Sequence, residues 1–142
     1  MTDWDYEAFT RNLIADLRAN KGLASSGPMA GHALMILTTT GAKTGEPRVA
    51  VVDPSRDGDT WVIAATKSGA PTNPAWYHNL VEHPNVNVEV GGESFKARAV
   101  VADPAERDRL WANHVAANPG FAEYPEKTQG RVIPVVTLER ID

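Results

Sequence analysis

The sequence predicts one α+β domain, mainly β, in which six short strands form a small antiparallel barrel flanked by three helices. Three observations lead there. Short apolar or alternating runs follow one another through tight turns built from Gly, Asp and Pro, as antiparallel neighbours do. Helical periodicity is confined to three segments, too few to place a helix between successive strands, so a doubly wound sheet is excluded. With 142 residues the chain can bury one core but not two.

The elements follow in order. Phe9, Leu13, Ile14 and Leu17 recur at helical spacing and predict an amphipathic helix from Tyr6 to about Asn20, stopped by Lys21-Gly22. Leu23 to Gly31, with Ser25-Ser26-Gly27-Pro28, reads as a loop. Residues 1–32 thus form a helix and loop preceding the barrel of residues 33–142, the two making one structural unit. Ala33 to Thr39 is a strand, Gly41 to Pro47 a turn and Arg48 to Val52 a second strand. Asp57-Gly58 is a hairpin signal leading into Thr60 to Ala65. After the loop Lys67-Ser68-Gly69-Ala70-Pro71, Asn73 is placed to cap a helix that has Pro74 at its first position and ends at Glu82. Asn85 to Val90 and Ser94 to Val101 alternate on either side of Gly91-Gly92, a second hairpin. Asp103-Pro104-Ala105-Glu106 resembles a capping box and opens a helix to Ala117, which Asn118-Pro119-Gly120 ends. Val132 to Glu139 is the last strand, with Pro134 marking an edge or a bulge.

Composition excludes several function classes. Hydrophobic residues at 42% and charged residues at 23% are ordinary for a globular chain. There is no cysteine, hence no disulfide, thiolate metal site or cysteine nucleophile. The acidic start has no apolar run behind it, and the longest apolar run, Ala33 to Leu37, is too short to cross a bilayer. A cytoplasmic address is expected, with peripheral contact of the first helix with the inner face of the membrane left open. A net charge of −4 argues against nucleic-acid binding. His32, His78, His83 and His114 lack ligand spacing, so no metal is expected. Gly41-Ala42-Lys43-Thr44 lacks the earlier glycine of a P-loop, and no serine has a nucleophile-elbow context.

Two regions remain. Lys43, Arg48, Arg56 and Lys67 cluster within an otherwise acidic chain, which points to one compact anionic ligand. In the turn Thr40 to Arg48 and the loop Thr66 to Pro71, glycines let successive N–H groups face an anion while lysine and arginine supply charge. The helix opening at Pro74 adds its positive N-terminal end to the same region.

The stretches Leu37-Thr38-Thr39-Thr40-Gly41-Ala42-Lys43-Thr44-Gly45-Glu46-Pro47-Arg48 and Lys67-Ser68-Gly69-Ala70-Pro71-Thr72-Asn73-Pro74-Ala75-Trp76-Tyr77-His78-Asn79-Leu80 closely resemble the deazaflavin (coenzyme F420)-dependent nitroreductase family of actinobacteria. The resemblance continues through His83-Pro84-Asn85-Val86, Glu106 to Trp111, Pro119-Gly120-Phe121 and Ile133-Pro134-Val135-Val136. It implies a split β-barrel of the flavin and deazaflavin reductase type with F420 in a groove on the barrel. By position, Lys43, Thr44 and Arg48 would hold the phosphate and lactyl-glutamyl tail, and Val49 and Val51 would line the groove. Ala64, Ala65, Thr66 and Lys67 would meet the ribityl chain and ring edge, while Ala75, Trp76, Tyr77 and Asn79 would close the phosphate side. Asn118, Phe121 and Tyr124 would face the substrate. The chain departs from the family at Ala42, where many relatives are basic. It departs again at Asn118 and Phe121, where the nitroimidazole-reducing member has tyrosines.

The expected activity is hydride transfer from reduced F420 to a small electron acceptor, a quinone, enone or nitro compound, with Tyr124 or Thr66 donating a hydrogen bond or proton. Two alternatives share the fold: a non-catalytic carrier of cofactor or lipid, and a reductase using flavin mononucleotide (FMN).

Overall fold

Among the described residues, seven strands form one antiparallel sheet: β1 (Met35–Thr40), β2 (Pro47–Val52), β3 (Ser55–Asp57), β4 (Thr60–Ala64), β5 (Asn85–Val90), β6 (Glu93–Val101) and β7 (Val135–Ile141). Their order is β2-β1-β5-β6-β7-β4-β3. Helices α1 (Tyr6–Ala19), α2 (Ala75–Glu82), α3 (Pro104–Ala117) and α4 (Tyr124–Lys127) flank the sheet. This computed structural model describes residues 6–25, 31, 33–66, 72–128 and 130–141.

The strand order dictates a barrel. β2 and β3 are the two edges, yet only Asp53 and Pro54 join them. In a flat sheet six strand spacings of ~4.8 Å would hold the edges about 29 Å apart. Three Cα steps reach only about 11 Å. The sheet therefore rolls until its edges meet at that link, and since the edges are not paired with each other the barrel is split.

Rolling gives each strand an inside and an outside, and side-chain alternation sorts the residues between them. Met35 and Leu37 of β1, Ile63 of β4, Val86, Val88 and Val90 of β5, Ala97 and Ala99 of β6, and Val136 and Leu138 of β7 share one buried core, which Leu80 of α2 joins. Outside, Leu34 and Ile36 lie under α1 with Leu17, and Val62 and Val135 lie under α3 with Leu110. β4 and the first halves of β1 and β7 are thus covered on both faces, which is why their apolar residues run consecutively there. β5, with its burial alternating, is covered on one. Leu13 and Ile14 of α1 pack into the same outer cluster, so its apolar stripe is turned onto the barrel.

The structure corrects four details of the sequence reading. A seventh strand, β3, precedes the Asp57-Gly58 turn. α3 covers it: Ser55 Oγ lies 2.6 Å from His114 Nδ1, the Arg56 carbonyl accepts from Asn113 at 2.8 Å, and the Asp57 carboxylate accepts from Arg109 at 3.0 and 2.8 Å. Three consecutive residues without an apolar pattern thus pair with β4 across the Asp57-Gly58 turn, while a distant helix takes a polar group of each. Beyond the stop at Asn118 the chain makes a 3-10 turn, Pro119–Glu123, and then α4, a helix beyond the three expected. β7 pairs only from Val135, and the Pro134 carbonyl accepts from Ala65 N at 2.9 Å. Asn73 does not cap α2; Pro74 stands at that position without a side-chain bond. The Asp103 cap of α3 holds as expected, accepting from Glu106 N at 2.9 Å.

His114 is fully buried, its Nε2 has no hydrogen-bond partner among the described residues, and desolvation lowers its pKa from 6.5 to about 4. The unfolded chain binds this proton near pH 6.5 and the folded chain does not, so the stabilisation is complete above pH 6.5 and is lost as pH falls toward 4. At ~1.4 kcal/mol per pH unit the loss approaches about 3 kcal/mol. Denaturant unfolding between pH 7.5 and 4.5 should show this slope, and His114→Gln should flatten it. An unchanged slope in the variant assigns the acid sensitivity to carboxylates.

Candidate functional site

The turn between β1 and β2 is held by its own backbone. Gly41 N donates to the Glu46 carbonyl at 2.8 Å, and Gly45 N to the Gly41 carbonyl at 2.9 Å. A Cβ on Gly41 would sit 2.6 Å from Thr44 Oγ1 and 3.2 Å from the Glu46 carbonyl, so the tight turn leaves no room for a side chain there. Gly45 adopts φ +71°, the left-handed region that glycine tolerates. Lys43, Thr44 and Arg48 all project from this turn and are exposed. The Arg48 guanidinium makes only long contacts, 3.4 Å to Thr44 Oγ1, 3.4 Å to the Pro47 carbonyl and 3.5 Å to Glu46, so little is lost if it swings to an anion.

Asn79 anchors the turn to α2. It is 7% exposed, its Oδ1 accepts from Ala42 N at 3.0 Å and its Nδ2 donates to Thr39 Oγ1 at 3.1 Å. Both ends of its amide are thereby used inside the protein. At the other end of α2, Asn73 Oδ1 accepts from Arg131 Nη1 at 2.6 Å. The same guanidinium donates to the carbonyls of Ala65 and Thr66, each at 2.8 Å. α2 thus joins the turn to the end of β4. Ala75 and Asn79 are about 6 Å apart along its axis, at ~1.5 Å per residue, so the β1–β2 turn and the end of β4 at Ala65 and Thr66 are neighbours.

The other expected site residues distribute unevenly. Ala64 is half-buried and packs against the cluster under α3, Ala65 is buried and Thr66 is half-buried at the end of β4. Val49 is exposed on β2, whereas Val51 packs in the cluster under α1. Ala75 is exposed at the start of α2, and Trp76 and Tyr77 both rest partly against the barrel core. Lys67 lies outside the described residues.

Asn118, Phe121 and Tyr124 are half-buried on the segment after α3. Asn118 caps α3, donating from N to the His114 carbonyl at 2.9 Å and accepting from Phe121 N at 3.1 Å. Phe121 stacks on His114 with centroids 4.7 Å apart and planes 8° apart, and Tyr124 lies 5.4 Å from Phe121. An aromatic column therefore runs from the buried histidine outward to Tyr124. Two residues escaped sequence reasoning: His114, weighed only as a metal ligand, and Arg131, whose partners lie 58 to 66 positions away. Its position in the short connection between α4 and β7 carried no local signal. Among the described residues no group of three or more His, Asp or Glu side chains could hold a metal, and no helix is long and apolar enough to cross a membrane.

Known proteins share the family signature and the fold. Residues 9–140 match the family model of the F420H(2)-dependent quinone reductases. An F420H(2)-dependent quinone reductase of Mycobacterium tuberculosis is 43% identical over 110 residues, covering 75% of this chain and 72% of its own length. The solved structure of an F420-H2 dependent reductase, FDR-A, superposes with a TM-score of 0.68 at 34% identity, covering 75% of this chain and 93% of that one. General stress protein 26 of Bacillus anthracis, at 11% identity and a TM-score of 0.54 over 75% of this chain and 78% of that one, shares the fold alone. With the family model running through the whole barrel, and a relative of this identity over most of both chains, the chain belongs to the F420H(2)-dependent quinone reductase family.

Proposed function

We propose that this chain transfers hydride from reduced F420 to a quinone, with the cofactor laid across the two regions that α2 joins. The observation that carries the reading is the span of α2, which fixes the cationic turn through Asn79 and sits beside the Ala64–Thr66 wall through Asn73. The residues present fit such a group. Lys43 and Arg48 offer charge to an anionic tail, Thr44 adds a hydroxyl, and the side-chain-free Gly41 keeps the turn tight. Ala64, Ala65 and Thr66 give the ring end a flat, small-residue wall.

The bound deazaflavin supplies the hydride, and the protein supplies position. In this reading Val49 borders the groove, with Val51 supporting β2 from under α1, and Ala75, Trp76 and Tyr77 close the side where α2 begins. Asn79 acts from beneath by holding the turn. Asn118, Phe121 and Tyr124 flank the quinone, and the Tyr124 or Thr66 hydroxyl donates toward the quinone oxygen as it gains charge. The apolar stripe of α1, packed inward at Leu13, Ile14 and Leu17, supports a role in the barrel and not at a membrane surface.

Oxidation of reduced F420 by a simple quinone, followed spectroscopically, tests the activity, and F420 should bind far more tightly than FMN. Lys43→Ala and Arg48→Ala should each weaken F420 binding about 10- to 150-fold, from ~1.5–3 kcal/mol per charge-assisted contact. Melting without ligand should barely move, since both side chains are exposed. Normal binding by both variants would place the tail elsewhere.

Tyr124→Phe separates a donor from a packing surface. A hydroxyl that acts as charge builds on the quinone makes kcat and kcat/KM fall together, about 10- to 1000-fold, while F420 affinity stays within about threefold. Unchanged kcat in the phenylalanine variant, with a raised KM in Tyr124→Ala, would leave Tyr124 only as an aromatic lid.

A further inference from the structure

We infer that Arg131 is a positioning residue for F420, locking the backbone of Ala65 and Thr66 into the wall against which the ring end lies. This inference rests on the cofactor site proposed above. Every backbone polar group of the dipeptide is engaged: Ala65 N donates to the Pro134 carbonyl at 2.9 Å and Thr66 N to the Ala64 carbonyl at 2.9 Å. Arg131 Nη1 and Nη2 donate to the carbonyls of Ala65 and Thr66, each at 2.8 Å. The Thr66-to-Ala64 bond is a γ-turn, a sharp reversal of the chain at Ala65. Two successive carbonyls leaving such a turn need two donors at fixed separation, which the planar guanidinium fork supplies and an ammonium does not.

Arg131 is itself held. Thr128, 1% exposed, donates from Oγ1 to the Arg131 carbonyl at 2.8 Å and accepts from Arg131 N at 3.3 Å. Arg131 Nη1 also donates to Asn73 Oδ1 at 2.6 Å, which ties the wall to the start of α2. Thr128 directly follows α4, which opens with Tyr124. One short stretch therefore carries both the clasp on the cofactor wall and the aromatic side chain proposed to meet the quinone.

The experiment is an F420 titration by fluorescence on the native protein, Arg131→Ala, Arg131→Lys and Asn73→Ala, with quinone kinetics at saturating reduced F420. The expected rise in F420 Kd is about 10- to 100-fold for Arg131→Ala, about 3- to 10-fold for Arg131→Lys, whose ammonium reaches one carbonyl, and about 2- to 5-fold for Asn73→Ala. The quinone KM should stay within about twofold in all three. A purely structural role would lower the melting temperature while leaving the F420 Kd of the folded protein native, and that result overturns the inference. So does a raised quinone KM at native F420 affinity. If Arg131→Ala does not fold, the lysine and Asn73 variants decide by the same criteria. Failure of the native protein to bind F420 would sink the cofactor site itself, whereas tight native binding with unaffected variants would sink only the role of Arg131.

Discussion

A two-residue connection governs this molecule. Asp53 and Pro54 link strands at opposite edges of a seven-stranded sheet, and no flat sheet can satisfy that link. The sheet must roll, and the rest follows. The inward side chains of β1, β4, β5, β6 and β7 converge on one core, the outward ones need cover from α1 and α3, and α2 packs Leu80 into the core. From there α2 connects the β1–β2 turn to the end of β4, regions far apart in the strand order.

The site illustrates how tertiary contacts turn generic local features into a specific surface. A glycine-rich turn with a lysine and an arginine is common on β-proteins. Here the buried Asn79 fixes its backbone from below while the cations stay exposed. A run of two alanines and a threonine is equally unremarkable. The Pro134 carbonyl, the Ala64 carbonyl and the Arg131 guanidinium engage every backbone polar group of its last two residues, Ala65 and Thr66. Rigidity under the ligand and charge beside it are what a positioning enzyme requires, because hydride transfer depends on distance and orientation.

Most of the fold was legible because its signals are local. Period-two alternation in Asn85 to Val90, the Asp57-Gly58 and Gly91-Gly92 turns and the Asp103 cap each carry their structure within a few residues. The misses were non-local. Ser55–Asp57 pairs with β4, and its polar groups are taken by Arg109, Asn113 and His114 of α3, 52 to 59 positions away. Asn73 has the chemistry of a helix cap, but Arg131 takes its side-chain oxygen. Pro119-Gly120 stops α3, as read, yet stacking of Phe121 on His114 accompanies a further helical turn beyond it. The family was visible in two motifs; the Arg131 clasp on Ala65 and Thr66 was not.

The central claim is that one cofactor spans both regions joined by α2. A structure of the protein with F420 bound tests it most directly. The account predicts the tail phosphate within hydrogen-bonding reach of Lys43 and Arg48, with the ring end against Ala64, Ala65 and Thr66 and the Arg131 clasp intact. A cofactor bound with its ring away from that wall, or with its tail away from the turn, would contradict it.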